Sequence, residues 1–161
     1  MEDYIVLSST FRDTAAFPHV NFFRNNLTST LKNVTELTLI SVILPKPTTL
    51  SNSGMLFLVL NESWNINKVV FPSTLNSQKT IRKAFSPLPL TNSTATNFIS
   101  SDFDSSSYAV KMTPPKDFSN YFEIQILDIT GTPFSFGETA GDLTQANQLS
   151  LIFKVKYDAG N

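Results

Sequence analysis

The fold class follows from the stretch Asn33-Val-Thr-Glu-Leu-Thr-Leu-Ile-Ser-Val-Ile-Leu-Pro-Lys-Pro47. Side chains in a strand alternate between its two faces, so both faces of this strand are predicted to be apolar. A strand of this kind must be covered on both sides, deep in an all-β core or between that core and a neighbour. The two prolines end it, because proline cannot donate to the ladder. The predicted faces are Leu37, Leu39 and Ile43 on one side and Ile40, Val42 and Leu44 on the other.

A second run that is apolar on both faces lies at Met55–Leu60, after a short turn rich in proline and serine. Two such strands, close together in the chain, are predicted to be near neighbours at the centre of the core, arranged as a hairpin. If the second face of either strand is bare, that face is the first candidate for a subunit contact.

Strand patterns continue along the rest of the chain, and no segment has a convincing long helical period. Val20–Leu31 fits an irregular strand better than a helix because it is rich in Asn and Thr. Pro72–Phe103 is expected to be a long surface excursion, with one short helical turn at Gln78–Phe85, and Pro114-Pro115 are expected to end the strand before them. The other predicted strands are Tyr4–Leu7, Lys68–Phe71, Tyr108–Met112, Phe122–Ile126, Phe134–Phe136 and Leu149–Tyr157.

These elements predict one all-β domain over residues 1–161, an antiparallel single jelly-roll β-sandwich of about eight strands. Charged residues make up only 16% of the chain, and Ser, Thr and Asn replace them. Such a neutral polar surface suits dense protein contact as well as ordinary β-turns. The net charge of −1 argues against direct nucleic-acid binding. The chain has no cysteine, and its sequence predicts neither a signal peptide nor a transmembrane segment.

Candidate catalytic and metal-binding residues are few. His19 is the single histidine, so a multi-histidine metal site is excluded, and its aromatic surroundings favour a packing role. Asp102 and Asp104 could offer two oxygens to a calcium ion, but the serines around them fit a turn better.

The carboxylates give no stronger catalytic signal. Asp128-Ile-Thr-Gly131 superficially resembles the Asp-Thr-Gly of aspartic proteases, but the inserted isoleucine breaks that motif and no second copy exists. A turn is the better interpretation. Glu36, Glu123 and Asp128 could supply the acid pair of a glycoside hydrolase, although most β-proteins contain such pairs. We therefore predict that the chain is not an enzyme and that it uses no cofactor or metal.

Fourteen phenylalanines are more than one small core usually needs. Several fall in predicted loops, where they either fold back over the ends of the sandwich or act as anchors into neighbouring subunits. The candidate interface residues are Phe11, Phe17, Phe98, Phe103 and Phe118.

Three segments together carry a family resemblance. They are Ser8-Ser-Thr-Phe-Arg-Asp13 with Phe17-Pro18 and Phe22–Leu31, then Asn33–Pro45, then Phe122–Phe136 with Leu149–Tyr157. Their order resembles that of jelly-roll minor capsid and penton-type proteins of large double-stranded DNA viruses, polinton-like viruses and virophages. The resemblance covers about half of the chain.

The resemblance implies a virion structural protein without catalytic residues, assembled inside the host cell. The expected role is a minor capsid protein that binds and stabilises an icosahedral capsid. Its partners would be the major capsid protein and other minor capsid proteins. One alternative is a penton protein that forms a homopentamer at the vertex of the same capsid type. The other is a β-sandwich module that binds a glycan or a receptor.

Overall fold

The computed structural model describes residues 1–45, 55–73, 80–89, 98–102 and 108–159. These parts contain eleven β-strands and three short 3₁₀ turns, at Ser9–Phe11, Glu62–Trp64 and Gln145–Asn147. The strands are β1 (Glu2–Ser8), β2 (Phe22–Asn26), β3 (Leu31–Pro45), β4 (Met55–Leu60), β5 (Val69–Ser73), β6 (Thr80–Ala84), β7 (Ser86–Pro89), β8 (Phe98–Asp102), β9 (Ala109–Phe118), β10 (Tyr121–Leu127) and β11 (Ser150–Tyr157).

The strands form two antiparallel sheets packed face to face, with a two-stranded hairpin outside them. The five-stranded sheet has the order β1-β11-β3-β8, with β9 also pairing β3, and the four-stranded sheet has the order β2-β10-β4-β7. The first strand therefore pairs with the last, β2 with β10, β3 with β8 and β9, and β4 with β7. This nested pairing is that of a chain folded as one long, rolled-up hairpin, and it confirms the predicted jelly-roll sandwich.

The core between the sheets is largely aromatic and aliphatic. Phe23 and Phe122 from the four-stranded sheet and Phe153 from the five-stranded sheet are fully buried. The rings of Phe122 and Phe153 meet across the core with centroids 5.6 Å apart. Many of the phenylalanines therefore fill this one core.

The faces of β3 differ from the simple alternation because the strand carries a bulge. Its register with β11 shifts between Leu39, opposite Phe153, and Ser41, opposite Ile152, so Ile40 is an extra residue. A bulge reverses the phase of the side chains that follow it. Leu37, Leu39, Val42 and Leu44 consequently all face the core, whereas Ile43 is 39% exposed on the outer face. The predicted grouping of Ile43 with Leu37 and Leu39 is wrong.

Both faces of β4 are covered, as the sequence predicted. Leu56, Leu58 and Leu60 join the main core. Phe57 and Val59 point the other way, into a second cluster with Phe71 and Ala84 of the β5–β6 hairpin. The rings of Phe57 and Phe71 are parallel, with centroids 3.9 Å apart. The hairpin is thus a third layer over the four-stranded sheet.

The predicted hairpin between β3 and β4 is wrong, because the two strands belong to opposite sheets and contribute side chains to one core between them. The expected excursion over Pro72–Phe103 instead contains β6, β7 and β8. The helical turn expected at Gln78–Phe85 is replaced by β6, which pairs with β5 over Thr80–Ala84. Non-local pairing has overridden a weak local pattern here.

Two further strand predictions also fail. β9 continues through Pro114 and Pro115. Its register opposite β3 shifts there and leaves residues 112–115 outside the ladder. Proline is tolerated at these positions because its missing N–H costs no hydrogen bond to the neighbouring strand. The return strand expected at Phe134–Phe136 is absent among these residues, which follow a single bridge between Leu127 and Pro133. β2, β10 and β11 confirm the strands predicted around Phe22, Phe122 and Leu149.

Candidate interaction groove

The strongest candidate site is a groove of about 630 Å³ at the open side of the sandwich. β1 ends the five-stranded sheet and β2 ends the four-stranded sheet, and among the described residues each has one strand partner. The groove lies between these two edge strands and is called the β1–β2 groove below. The residues that line it include Val6, Phe11, Asp13, Phe17, Arg24 and Leu27.

The floor of the β1–β2 groove is fixed by a bond between the two sheets. The backbone N–H of Ser8, at the end of β1, donates to Oδ1 of the buried Asn25 on β2 at 2.8 Å. The Ser8 side chain then caps the 3₁₀ turn by accepting from the N–H of Thr10. This turn leads the chain out of the sheet and leaves Phe11 80% exposed beside the groove.

Arg12 holds the wall that carries Phe11 and Phe17. Its side chain is 5% exposed and donates five hydrogen bonds. Burial lowers the pKa of Arg12, and the charges of Glu138 and Asp142 oppose that shift. Because these bonds tie residues 9–18 to residues 142–148, they set the position of the wall. The acceptors are the carbonyl oxygens of Ser9, Phe17, Pro18 and Asp142 and the Oε1 of Gln148.

Gln148 completes this network from the other side. Its Oε1 also accepts from Ser9 Oγ at 2.8 Å, and its Nε2 donates to the carbonyl oxygens of Asp142 and Thr144. Hydrogen bonds from Thr144 and Asn147 lower the pKa of Asp142. The loop before β11 is thereby ordered without a regular strand or long helix.

Aromatic and charged side chains stack along the β2 wall. Phe17 meets Phe22 edge to face, with centroids 5.2 Å apart. The Arg24 guanidinium lies over the ring of Tyr121 at 4.2 Å and pairs with Glu123 at 2.9 Å. The charge of Arg24 is therefore already partnered within the chain.

The outer face of the five-stranded sheet bears a row of alternating charges and an apolar patch. The row runs Glu2, Lys156, Glu36, Lys111 across four neighbouring strands. Lys156 Nζ lies 2.9 Å from Glu36 Oε1, and this bond lowers the pKa of Glu36 and raises that of Lys156. The exposed apolar residues of this sheet include Tyr4 and Val6 on β1, which are 61% and 67% exposed, and Ile43 on β3.

Two of the five predicted interface residues, Phe11 and Phe17, lie together on the β1–β2 groove. Phe118 is placed differently: it is 3% exposed and stacks on Trp64, with centroids 4.5 Å apart, so it belongs to the core. Phe98 begins β8, and Phe103 lies outside the described residues. Sequence reasoning missed Val6 and Arg12, because neither an edge position nor a hydrogen-bond network has a local signature.

The candidate catalytic residues do not converge. His19 Nδ1 lies 3.2 Å from Oε1 of Glu138, a carboxylate whose side chain is 3% exposed, whereas His19 itself is 47% exposed. Asp128 accepts from the N–H groups of Thr130 and Thr132, which confirms the predicted turn. Gly131 has a φ of 81° in that turn, a value that favours glycine.

The remaining carboxylates are also apart. Glu36 lies on the five-stranded sheet and Glu123 on the four-stranded sheet. Asp104, the partner proposed for Asp102, lies outside the described residues. Across the described ranges, no group of three or more His, Cys, Asp or Glu residues could hold a metal ion.

The described part of the chain has no helix that is long and apolar enough to cross a membrane. No protein-family model matches the chain, and no curated protein matches it in sequence.

Proposed function

We propose that the chain is a virion structural protein, a minor capsid protein that binds and stabilises an icosahedral capsid by protein–protein contacts. The single observation that carries this proposal is the β1–β2 groove on a jelly-roll sandwich, with aromatic and aliphatic side chains exposed although the core is already filled. A fold alone does not give a function, so the proposal depends on this surface together with the sequence resemblance.

The exposed residues have the chemistry of an interface centre. Phe11 is 80% exposed, and Val6 and Tyr4 lie nearby on the edge strand. Each offers apolar area whose burial contributes about 25 cal/mol per Å². Aromatic side chains in the centre of a contact, with a polar rim around them, dominate the energy of many protein interfaces. The partners would be the major capsid protein and other minor capsid proteins.

A penton protein of the same capsid type is the nearest alternative. It would use the same exposed edges to form a ring of five copies. Native mass spectrometry of the purified chain separates the two, because a minor capsid protein is expected as a monomer before assembly and a penton as a pentamer.

Purified particles from infected cells, with the chain detected by peptide mass spectrometry, test the proposal. We expect Phe11→Ser to reduce incorporation about tenfold, because it removes the most exposed aromatic anchor. Val70→Ser is the matched control, since Val70 is also an exposed apolar residue (58%) but lies on the β5–β6 hairpin. Particles that lack the wild-type chain altogether would refute the proposal.

The groove also favours a second candidate, a glycan-binding module. Phe11 stands beside Asp13, Asn25 and Asn26, so an aromatic ring and polar groups line one concave surface. Pockets that combine apolar surface with a few polar groups are typical of small-ligand sites. A glycan array with wild-type chain and Phe11→Ser tests it: binding that requires Phe11, by a chain absent from particles, would favour this candidate over the capsid role.

A further inference from the structure

The edge of β1 that faces away from β11 has no strand partner among the described residues, and it presents its backbone groups in a definite phase. Tyr157 N donates to Met1 O, and Ser9 N donates to Leu149 O, so odd-numbered residues bond to β11 at both ends of the strand. The N–H of Ser8 points the other way, to Asn25. Because antiparallel pairs alternate in this manner, the N–H and C=O groups of Tyr4 and Val6 point away from β11.

The surroundings of this edge are apolar on both sides. The side chains of Tyr4 and Val6 lie exposed on the outer face of the sheet. On the inner side, the β1–β2 groove offers Phe11 and the partly buried Phe17 and Leu27. A strand added to β1 would alternate its side chains between the two sides and would bury apolar groups on both.

The uncompensated charge beside this edge is acidic and lies at the Phe11 end of the groove. At the other end Glu2 is opposite Lys156 on β11, and Asp3 accepts a hydrogen bond from Tyr157, so both carboxylates already have partners. Asp13 lines the groove and forms no ion pair within the described residues, and the cation of the groove, Arg24, is already paired with Glu123. A complementary ligand therefore carries a basic residue at the end that meets Asp13 and apolar residues at its centre.

We propose that the β1–β2 groove binds an extended segment of another polypeptide chain by antiparallel strand addition to β1. The segment has apolar residues at alternate positions and a basic residue at the end that meets Asp13, and about seven residues match the length of β1. This deepens the proposed capsid role, on which the identity of the partner rests, by assigning the chemistry of the contact.

The probe is the acetylated and amidated peptide Lys-Val-Thr-Val-Thr-Val-Lys, added to the full chain and followed by NMR. Hydrogen exchange at the amides of Tyr4 and Val6 is expected to slow about tenfold on binding, because these free groups become hydrogen-bonded. A peptide of the same sequence with alternate backbone nitrogens methylated on the pairing edge is the matched ligand control, and it is expected not to bind.

Two variants at one position separate backbone pairing from side-chain contact. Val6→Pro removes an N–H that bonds nothing in the described chain, so it spares the ladder with β11 but blocks strand addition. It is expected to weaken peptide binding about tenfold, whereas Val6→Thr, which keeps the N–H, is expected to weaken it about twofold. Circular dichroism checks that both variants fold. If Val6→Pro does not fold, hydrogen exchange of the wild-type chain with the peptide tests strand addition instead.

Three results would each overturn the inference. The first is binding that leaves hydrogen exchange at the amides of Tyr4 and Val6 unchanged. The others are equal binding of the two peptides and no binding at ~1 mM peptide. Concentration-dependent self-association through β1, seen by sedimentation, would also overturn it by making a second copy the occupant. Strand addition by a chain absent from particles would leave the groove assignment intact and refute only the capsid role. A chain that is present in particles but does not bind the peptide would refute the groove assignment and leave the capsid role intact.

Discussion

Replacing Arg12 by methionine is expected to destabilise the fold by about 3 kcal/mol. The Arg12 side chain donates five hydrogen bonds, and its loss leaves carbonyl oxygens of Ser9 and Phe17 and other acceptors without their donor. At about 1 kcal/mol net for each bond, the five bonds amount to roughly 5 kcal/mol. Part of this is offset, because methionine removes a buried charge that was costly to desolvate.

Urea unfolding monitored by tryptophan fluorescence and circular dichroism measures the change. Arg24→Met is the control: Arg24 is 41% exposed and makes one ion pair and one cation–π contact with Tyr121, so a loss of about 1 kcal/mol is expected. Arg12→Lys is expected to fall between them, because an ammonium group cannot reproduce the planar fork of donors. Equal stability of the Arg12→Met and Arg24→Met variants would refute the view that Arg12 holds the groove wall.

Hydrogen exchange gives a second measure of the same reasoning. Loss of Arg12 is expected to raise exchange in residues 9–18 and 142–148 more than in the core strand β10, since the side chain joins those two loops. The peptide of the strand-addition experiment should also bind more weakly, because Phe11 and Phe17 lose their fixed position. Uniformly faster exchange across the sandwich would show a global effect and contradict a local role.

Three further outcomes test the packing and the surface charges. Phe71→Ala is expected to cost about 3 kcal/mol in urea unfolding, since it removes a buried ring stacked on the outer face of β4; a loss below ~0.5 kcal/mol would mean that the hairpin is not part of the cooperative fold. Phe118→Ala should lower the free energy of unfolding by a similar amount, because its ring is buried, and Phe11→Ala by less than about 0.5 kcal/mol, because its ring is exposed. A larger loss for Phe11→Ala than for Phe118→Ala would contradict these positions. Glu36→Gln should lower stability at neutral pH, and the loss should shrink as the pH falls below the usual pKa of glutamate, since a lowered carboxyl pKa contributes stability that is lost as pH falls through the folded value. A pH-independent difference in thermal unfolding would exclude the ion pair with Lys156 as its cause.

Several parts of the sandwich could be predicted from local sequence. The alternation of Leu151, Phe153 and Val155 identified β11, and the two-sided run Met55–Leu60 correctly required cover on both faces of β4. These predictions succeed because a period of two residues is a property of one strand and needs no knowledge of its partners. The register of β3 could not be obtained in this way, since the extra residue Ile40 is recognised only against β11.

The candidate site was predicted only in part. Phe11 and Phe17 were identified as surplus aromatic residues, and the structure brings both to one groove. Their common location depends on Arg12 and Gln148, which are 136 positions apart in the chain and meet through a hydrogen bond. A pattern within a short window contains no information about such a contact. Val6 lies within the predicted strand Tyr4–Leu7, and nothing in that pattern indicates that the strand is at the edge of a sheet.

The amino-acid sequence is sufficient to predict an all-β protein with a large apolar core and a surface poor in charge. Those properties follow from composition and from the alternation of side chains along each strand. Only the three-dimensional arrangement shows which strands share a sheet, where β3 bulges, and that β1 and β2 are adjacent edge strands within the described part of the chain. Edges and grooves arise where pairing stops, and pairing is settled by contacts between residues far apart in the chain.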